Sequence, residues 1–309
     1  MKKQRITSAN TLRALQLLSA AGLLLLTSST NLAQSISQAN QVWSAEVIRP
    51  KGQPIIPLFD GWYPNEDGSS TICFGFFNMN SEQSLDIPLG EDNYIETDYP
   101  DLDLSEALIP THFDPLPPAY RHVFCAYSIN VPADFNTSHR ITWYLTANNQ
   151  TLSVPGKVIP PYVLDEPRSN GRGDIAPLVT LTEDGESVRG RTGIHHPGKI
   201  LSSVSEPVSL SAYIEHSDDI VWVGWSQHNG PGTVTFDKKE YETKSRERTE
   251  VQARFSKPGN YVIRMQTIDD IAAFEFYCCH TNAYFHILSL IHISEPTRQA
   301  EIAYAVLWV

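Results

Sequence analysis

Seven acidic side chains crowd one short stretch of this chain: Glu91, Asp92, Glu96, Asp98, Asp101, Asp103 and Glu106. Hard carboxylate oxygens gathered on a loop are what Ca²⁺ takes as ligands, and Asp98, Asp101, Asp103 and Glu106 form the candidate calcium set. The spacing is not that of an EF-hand, because Leu102 and Leu104 intervene and no glycine follows. A solvated acidic loop is the competing reading.

Four cysteines permit two disulfides in an oxidising compartment. Cys278 and Cys279 are neighbours, either a strained vicinal disulfide or two thiols on opposite faces of a strand. Period-two alternation sets Cys73 against the face of Ile72, Phe74 and Phe76, and sets Cys125 level with Val123, Tyr127 and Ile129. The two side chains are therefore expected to face different ways and to stay unpaired. His195-His196, before Pro197-Gly198, lacks a third ligand at fixed spacing and reads equally as a surface turn.

Hydrolytic and nucleotide signatures are missing: there is no Gly-x-Ser-x-Gly elbow, no His-Glu-x-x-His, no phosphate loop and no dinucleotide fingerprint. No catalytic residue and no cofactor other than calcium is nominated. A carboxylate pair stays open, since such a pair is defined by distance in space rather than by spacing. Trp62, Tyr63, Tyr94, Tyr99 and Tyr120 sit among polar residues, where rings often present a surface to sugars. Arg172-Gly173-Asp174 falls in linker composition and is read as linker.

The elements that must position these groups are strands. Ile72, Phe74 and Phe76 alternate in Ser70 to Phe77, and the segments Arg121 to Val131, Arg140 to Thr146 and Thr151 to Val154 continue the pattern. In the second half, Val208, Leu210, Ala212 and Ile214 alternate, as do Val221, Val223 and Trp225, then Val251, Ala253 and Phe255, then Tyr261, Ile263 and Met265. Arg254, Arg264 and Gln266 point the other way. Short strands separated by Gly, Pro, Asn and Asp turns predict an all-β chain of two tandem β-sandwich (immunoglobulin-like) domains. Residues 40–160 make the first sandwich, 161–177 a linker rich in Pro, Gly and charge, and 178–287 the second.

Lys2, Lys3, Arg5 and Arg13 precede an apolar run from Ala14 to Leu26 that ends in small residues, so residues 1–33 are expected to be a signal peptide. The run is too short to cross a bilayer, and no later stretch in the mature chain is longer. A periplasmic or secreted protein follows. With a formal net charge of −12, nucleic acid is an unfavourable partner; an unknown protein or polysaccharide is the expected one.

Trp225-Ser-Gln-His-Asn-Gly-Pro-Gly-Thr-Val-Thr-Phe236, with Val251 to Arg264 and Asp269-Asp270, resembles the polycystic kidney disease-type (PKD) and related immunoglobulin-like modules of bacterial extracellular proteins. That resemblance implies a non-catalytic spacer, adhesive or carbohydrate-associated unit. Phe59-Asp-Gly-Trp-Tyr63, with Phe74 to Asn80 and Ile87 to Asn93, resembles uncharacterised secreted bacterial proteins and implies no activity. Leu288 to Val309 resembles a translated sequencing adapter, so the native sequence is expected to end near Ile287, with a sheet-capping strand as the alternative reading. Taken together these readings describe an exported, non-enzymatic binding or structural protein. A secreted carbohydrate-active or other hydrolase, with its site in the first sandwich, is the alternative.

Overall fold

The computed structural model describes residues 49–115, 122–164, 175–204, 206–268 and 279–291. The expected leader, Tyr120, Arg172-Gly173-Asp174, Cys278 and most of the adapter-like tail lie outside the described residues. Everything described belongs to one compact unit, Ile48–Val309.

The first half runs β1 (Ile55–Pro64), β2 (Ser70–Asn78), β3 (Leu85–Asp86), β4 (Asn93–Thr97), β5 (His112–Phe113), β6 (His122–Val131), β7 (Ile141–Ala147) and β8 (Gln150–Gly156). Two antiparallel sheets, β1-β2-β6 and β4-β7-β8, face each other, with a short β3-β5 ladder beside them. Apolar side chains at alternate positions fill the space between, led by Ile72, Phe74, Tyr127, Ile141, Trp143 and Leu145. Phe74 stacks on Tyr127, and the Trp143 ring meets both edge-on, the geometry aromatic quadrupoles favour.

The second half runs β9 (Leu178–Thr180), β10 (Ser187–Val188), β11 (Ile194–His195), β12 (Ile200–Ser203), β13 (Val208–Glu215), β14 (Ile220–Asn229), β15 (Val234–Phe236), β16 (Glu240–Lys244), β17 (Glu247–Phe255), β18 (Gly259–Ile268) and β19 (His280–Leu290). One sheet is β10-β9-β13-β17-β15, the other β11-β19-β18-β14-β16, with β12 also against β19. β11 and β12 pair with β19 in parallel, and β12 meets Ile287 through Leu290. The alternating rows expected on β13, β14, β17 and β18 supply this second core, including Leu210, Val223, Trp225, Val251, Ile263 and Phe285. The fold is thus all-β, two sandwiches in tandem with a core apiece.

One strand departs from the expected alternation. β2 bonds β6 in regular register from Ser70↔Val131 to Phe74↔Tyr127, but the next pair is Phe76↔Val123. Gly75 alone therefore stands opposite Phe124, Cys125 and Ala126. This bulge puts Cys125 at φ 46 and breaks its period-two relation to Tyr127. The side chain turns to the face that Cys73 occupies, and the expectation of two unpaired cysteines is corrected: Cys73 and Cys125 form a disulfide with their Cα atoms 4.9 Å apart. The pair packs with Tyr63, Phe124 and Leu164 in a small apolar cluster of its own.

Replacing both Cys73 and Cys125 with Ala removes a cross-link spanning 52 positions, which is expected to cost about 2–4 kcal/mol. Urea unfolding with and without reductant checks this: reduction should lower the wild-type midpoint by far more than the variant's.

Candidate binding cleft between the sandwiches

The bulge takes three residues of β6 out of the ladder, and their backbone groups need other partners. Asp60 supplies the first. It sits at a second register break, where β1 passes from Phe59↔Phe74 to Gly61↔Cys73. Its side chain, 2% exposed, lies across β2 over Gly75, where any Cβ would collide with Asp60 Oδ2 and the Val123 carbonyl. Oδ2 accepts the Cys125 N–H at 2.6 Å, and Oδ1 lies 2.7 Å from His122 Nε2. Burial raises the Asp60 carboxyl above its ordinary value, against the hydrogen bond and charge of His122 and the Cys125 N–H.

The three carbonyls point to the other sandwich, where β18 and β19 answer them. Arg264 Nη2 donates to Phe124 O at 3.3 Å, Asn282 Nδ2 to Cys125 O at 3.3 Å, and Tyr284 Oη to Ala126 O at 3.3 Å. Arg264 Nε is itself fixed on Asn282 Oδ1 at 3.0 Å. Tyr63 Oη lies 2.6 Å from Thr192 Oγ1, and the Arg191 guanidinium stands 5.9 Å from the centres of the Tyr63 and Phe124 rings. Farther along the seam, Thr111 N–H donates to His228 O at 3.0 Å, His228 Nε2 lies 2.7 Å from Leu108 O, and Lys239 Nζ lies 2.7 Å from Asp114 Oδ2.

Between these two sets of bonds the sandwiches leave a cleft of about 110 Å³. Phe76, Pro110, Pro115 and Val123 come from the first sandwich, and Trp222, Trp225 and Ile268 from the second. Three paired positions cross the floor of the second sandwich, Glu240↔Gly224 and Gly224↔Gln266. The Trp222 ring lies over Gly224 so closely that a Cβ there would collide with it. The indole is thereby flanked by a carboxylate and an amide.

The polar wall is strongly coupled. His112 holds Asp86 Oδ1 at 2.6 Å through Nδ1 and Asp114 Oδ1 at 2.9 Å through Nε2. Burial pushes His112 down, but hydrogen bonds and charges from Asp114 and Asp86 outweigh it and raise the imidazole above its ordinary value. Burial pushes Asp114 up, yet the His112 bond and the Lys239 charge leave its carboxyl far below the usual range. Burial raises Glu240, a group exposed on the cleft rim, against the Lys239 charge. His228, fully enclosed, is pushed by burial down to about 3 despite the Leu108 carbonyl.

Most sequence-nominated residues lie elsewhere. Asp98 Oδ1 accepts the Arg140 N–H at 2.8 Å, and Asp103 Oδ1 the Ser105 N–H at 2.9 Å. Asp101 sits at φ 58, and Glu106 is exposed. No group of three or more His, Cys, Asp or Glu side chains among the described residues is arranged to hold a metal ion. Cys279 is buried and does not stand as a free thiol. His195 Nδ1 lies 3.1 Å from His286 Nε2 over the Tyr284 ring, a pair of imidazoles. Among the aromatics, Tyr63 is buried rather than presented, Trp62 Nε1 donates to Ile159 O, Tyr94 stacks on Tyr144, and Tyr99 packs on Phe135. Sequence reasoning missed Asp60, Trp222 and Gln266. For Trp222 a signal existed, an aromatic two residues before a glycine on a strand.

No family model and no curated protein matches the chain. Among solved structures it is similar to the E. coli chaperone DraB at 6% identity, over 30% of this chain and 52% of that one, TM-score 0.25. It is similar to the D00-D0 domain of intimin at 10% identity, over 76% and 100%, TM-score 0.25. It is similar to the Yersinia pseudotuberculosis adhesin InvE at 10% identity, over 76% and 58%, TM-score 0.22. The chain thus spans about half the length of the DraB chain it matches. Likenesses this faint carry no inference about activity.

Two expectations follow. Gly75→Ala should destabilise by about 1–3 kcal/mol through forced displacement of Asp60 or β6, read as a lower urea midpoint. For pH, the His228 value in the folded chain lies below its ordinary 6.5, so the unfolded chain binds the extra proton. Stability contributed by neutral His228 is full above pH 6.5 and is lost as pH falls toward 3. His228→Gln should lose less stability than the wild type across that window in thermal melts, and an equal loss would contradict the assignment.

Proposed function

We propose that this chain is an exported, non-enzymatic binding or structural protein whose two immunoglobulin-like sandwiches are welded into one body. The observation that carries this reading is the capping of three bulge carbonyls of β6 by Arg264, Asn282 and Tyr284 from the opposite sandwich. Tandem domains joined only by a linker move independently by default. Here a buried guanidinium and an amide are spent on fixing the angle between them. The acidic and basic groups along the seam are likewise engaged in holding it: Asp60 by His122 and Cys125, Asp114 by His112 and Lys239. Among the described residues no helix is long and apolar enough to cross a membrane; export rests on the leader read from the sequence. An unknown protein or polysaccharide remains the expected partner, and the Asp98 to Glu106 loop a calcium candidate. Cys278 and Cys279 remain the candidate vicinal disulfide.

One observation favours the second reading, a carbohydrate-active hydrolase. Asp114 and Glu240 both border the cleft, one held ionised and the other biased toward its neutral form, the division of roles that acid–base hydrolysis uses. Turnover of nitrophenyl glycosides, abolished in Glu240→Gln, would establish that reading in place of the first.

The welded body is tested by calorimetry. Wild type should unfold in a single transition, and Arg264→Met, which strands the Phe124 carbonyl and Asn282 Oδ1 at about 1–3 kcal/mol each, should separate or broaden it. Two well-resolved transitions in the wild type would contradict the proposal.

A further inference from the structure

We infer that the inter-sandwich cleft is a seat for a single pyranose ring, the terminal or free sugar unit of a glycan. The inference deepens the binding reading above by naming the ligand's chemistry. It rests on the row that crosses β16, β14 and β18. Glu240, Gly224 and Gln266 are paired directly across the three strands, so their side chains share one face. Trp222, two residues before Gly224, lies on that face too, and its ring folds over the glycine. Neighbouring strands are spaced about 4.8 Å apart, which sets Glu240 and Gln266 about 10 Å from each other with the indole between. An apolar plate with hydrogen-bonding groups at both edges suits a ring that is apolar on its faces and hydroxylated around its rim.

The unsatisfied groups point the same way. Gln227 is bonded at both ends, to Gly232 O and Val234 N–H, and Asp114, His112 and Lys239 are bonded to one another. Gln266 is the exception: its side chain borders the cleft and its Nε2 is buried without a hydrogen-bond partner. A buried donor left unmade is destabilising, and a ligand oxygen would satisfy it. Glu240, on the other edge, makes no side-chain hydrogen bond with the described residues and offers an acceptor. Both charge signs border the cleft, with Lys239 and Arg264 against Asp114 and Glu240. Neither an anion nor a cation is selected. Hydroxyl groups, which donate and accept, match both edges.

The test is a titration of the full chain with methyl glycosides of glucose, galactose, mannose and N-acetylglucosamine, with cyclohexanol as a ring lacking the polyol rim. The readout is the NMR shift of the Trp222 indole N–H, assigned with Trp222→Phe. At least one glycoside should move that resonance saturably, and cyclohexanol should not. Gln266→Leu should weaken binding by about tenfold or more while leaving the melting temperature equal or higher, because it removes a buried unsatisfied amide. Failure of every glycoside to shift the resonance, or an equal response to cyclohexanol, would overturn the sugar seat and leave the welded body standing. Two wild-type unfolding transitions together with glycoside binding would do the reverse. Cleavage of a nitrophenyl glycoside would uphold the seat and replace the non-enzymatic reading.

Discussion

A single carboxylate lying across a strand holds the structure together. Asp60 leaves β1, passes over the only residue of β2 that lacks a side chain at that point, and takes the backbone N–H of Cys125 on β6. Without it, the donor freed by the bulge would be buried and unmade, a loss comparable to the net gain from one or two ordinary hydrogen bonds. With it, the bulge becomes a stable shape. Three consequences follow: Cys125 turns to meet Cys73, His122 is held at the cleft, and the carbonyls of Phe124, Cys125 and Ala126 point outward toward the second sandwich.

The second sandwich is complementary at that point because β18 and β19 lie side by side in register, Arg264↔Tyr284 and Gln266↔Asn282. A guanidinium, an amide and a phenol thus reach one short stretch of β6. Arg264 is fully enclosed, and burial depresses its basicity, with Tyr284 and Asp60 opposing; the buried charge is made tolerable by carbonyl and amide oxygens rather than by one partner ion. Once the angle between sandwiches is fixed at the bulge and again at His228, Thr111 and Leu108, the space between becomes a cleft of set width. Binding chemistry on its walls then needs no ordering step to form.

Much of the fold was legible in the residues. Alternation on β13, β14, β17 and β18 gave the second core, because those strands keep a period of two through their core-facing rows, and β14 shifts register against β18 only at its end, between Gln227 and Asn229. The same rule misled at Cys125, since a bulge and a left-handed residue leave no mark in a string of apolar letters. Arg264 was read as an outward polar residue on β18. It does point outward from its own sandwich, and only the docking of the other sandwich buries it. Asp60 stood in the sequence only as one letter of Phe59-Asp-Gly-Trp-Tyr63, with no role of its own. Its role depends on Gly75 and Cys125, far along the chain, and pairings of that kind are set by register between strands. The cleft is closed by walls from both halves, so a local signal such as the Trp222-to-Gly224 spacing could mark one wall but not the cleft.

The most direct test of the central claim is native-state hydrogen exchange at the Cys125 amide. If the Asp60 bond and the bulge weld the two sandwiches, that proton exchanges only through global unfolding, with the same free energy as the amides of Trp143 and Trp225 in the two cores. Exchange of the Cys125 amide through a low-energy local opening, while both cores stay protected, would show that the sandwiches are held by something else.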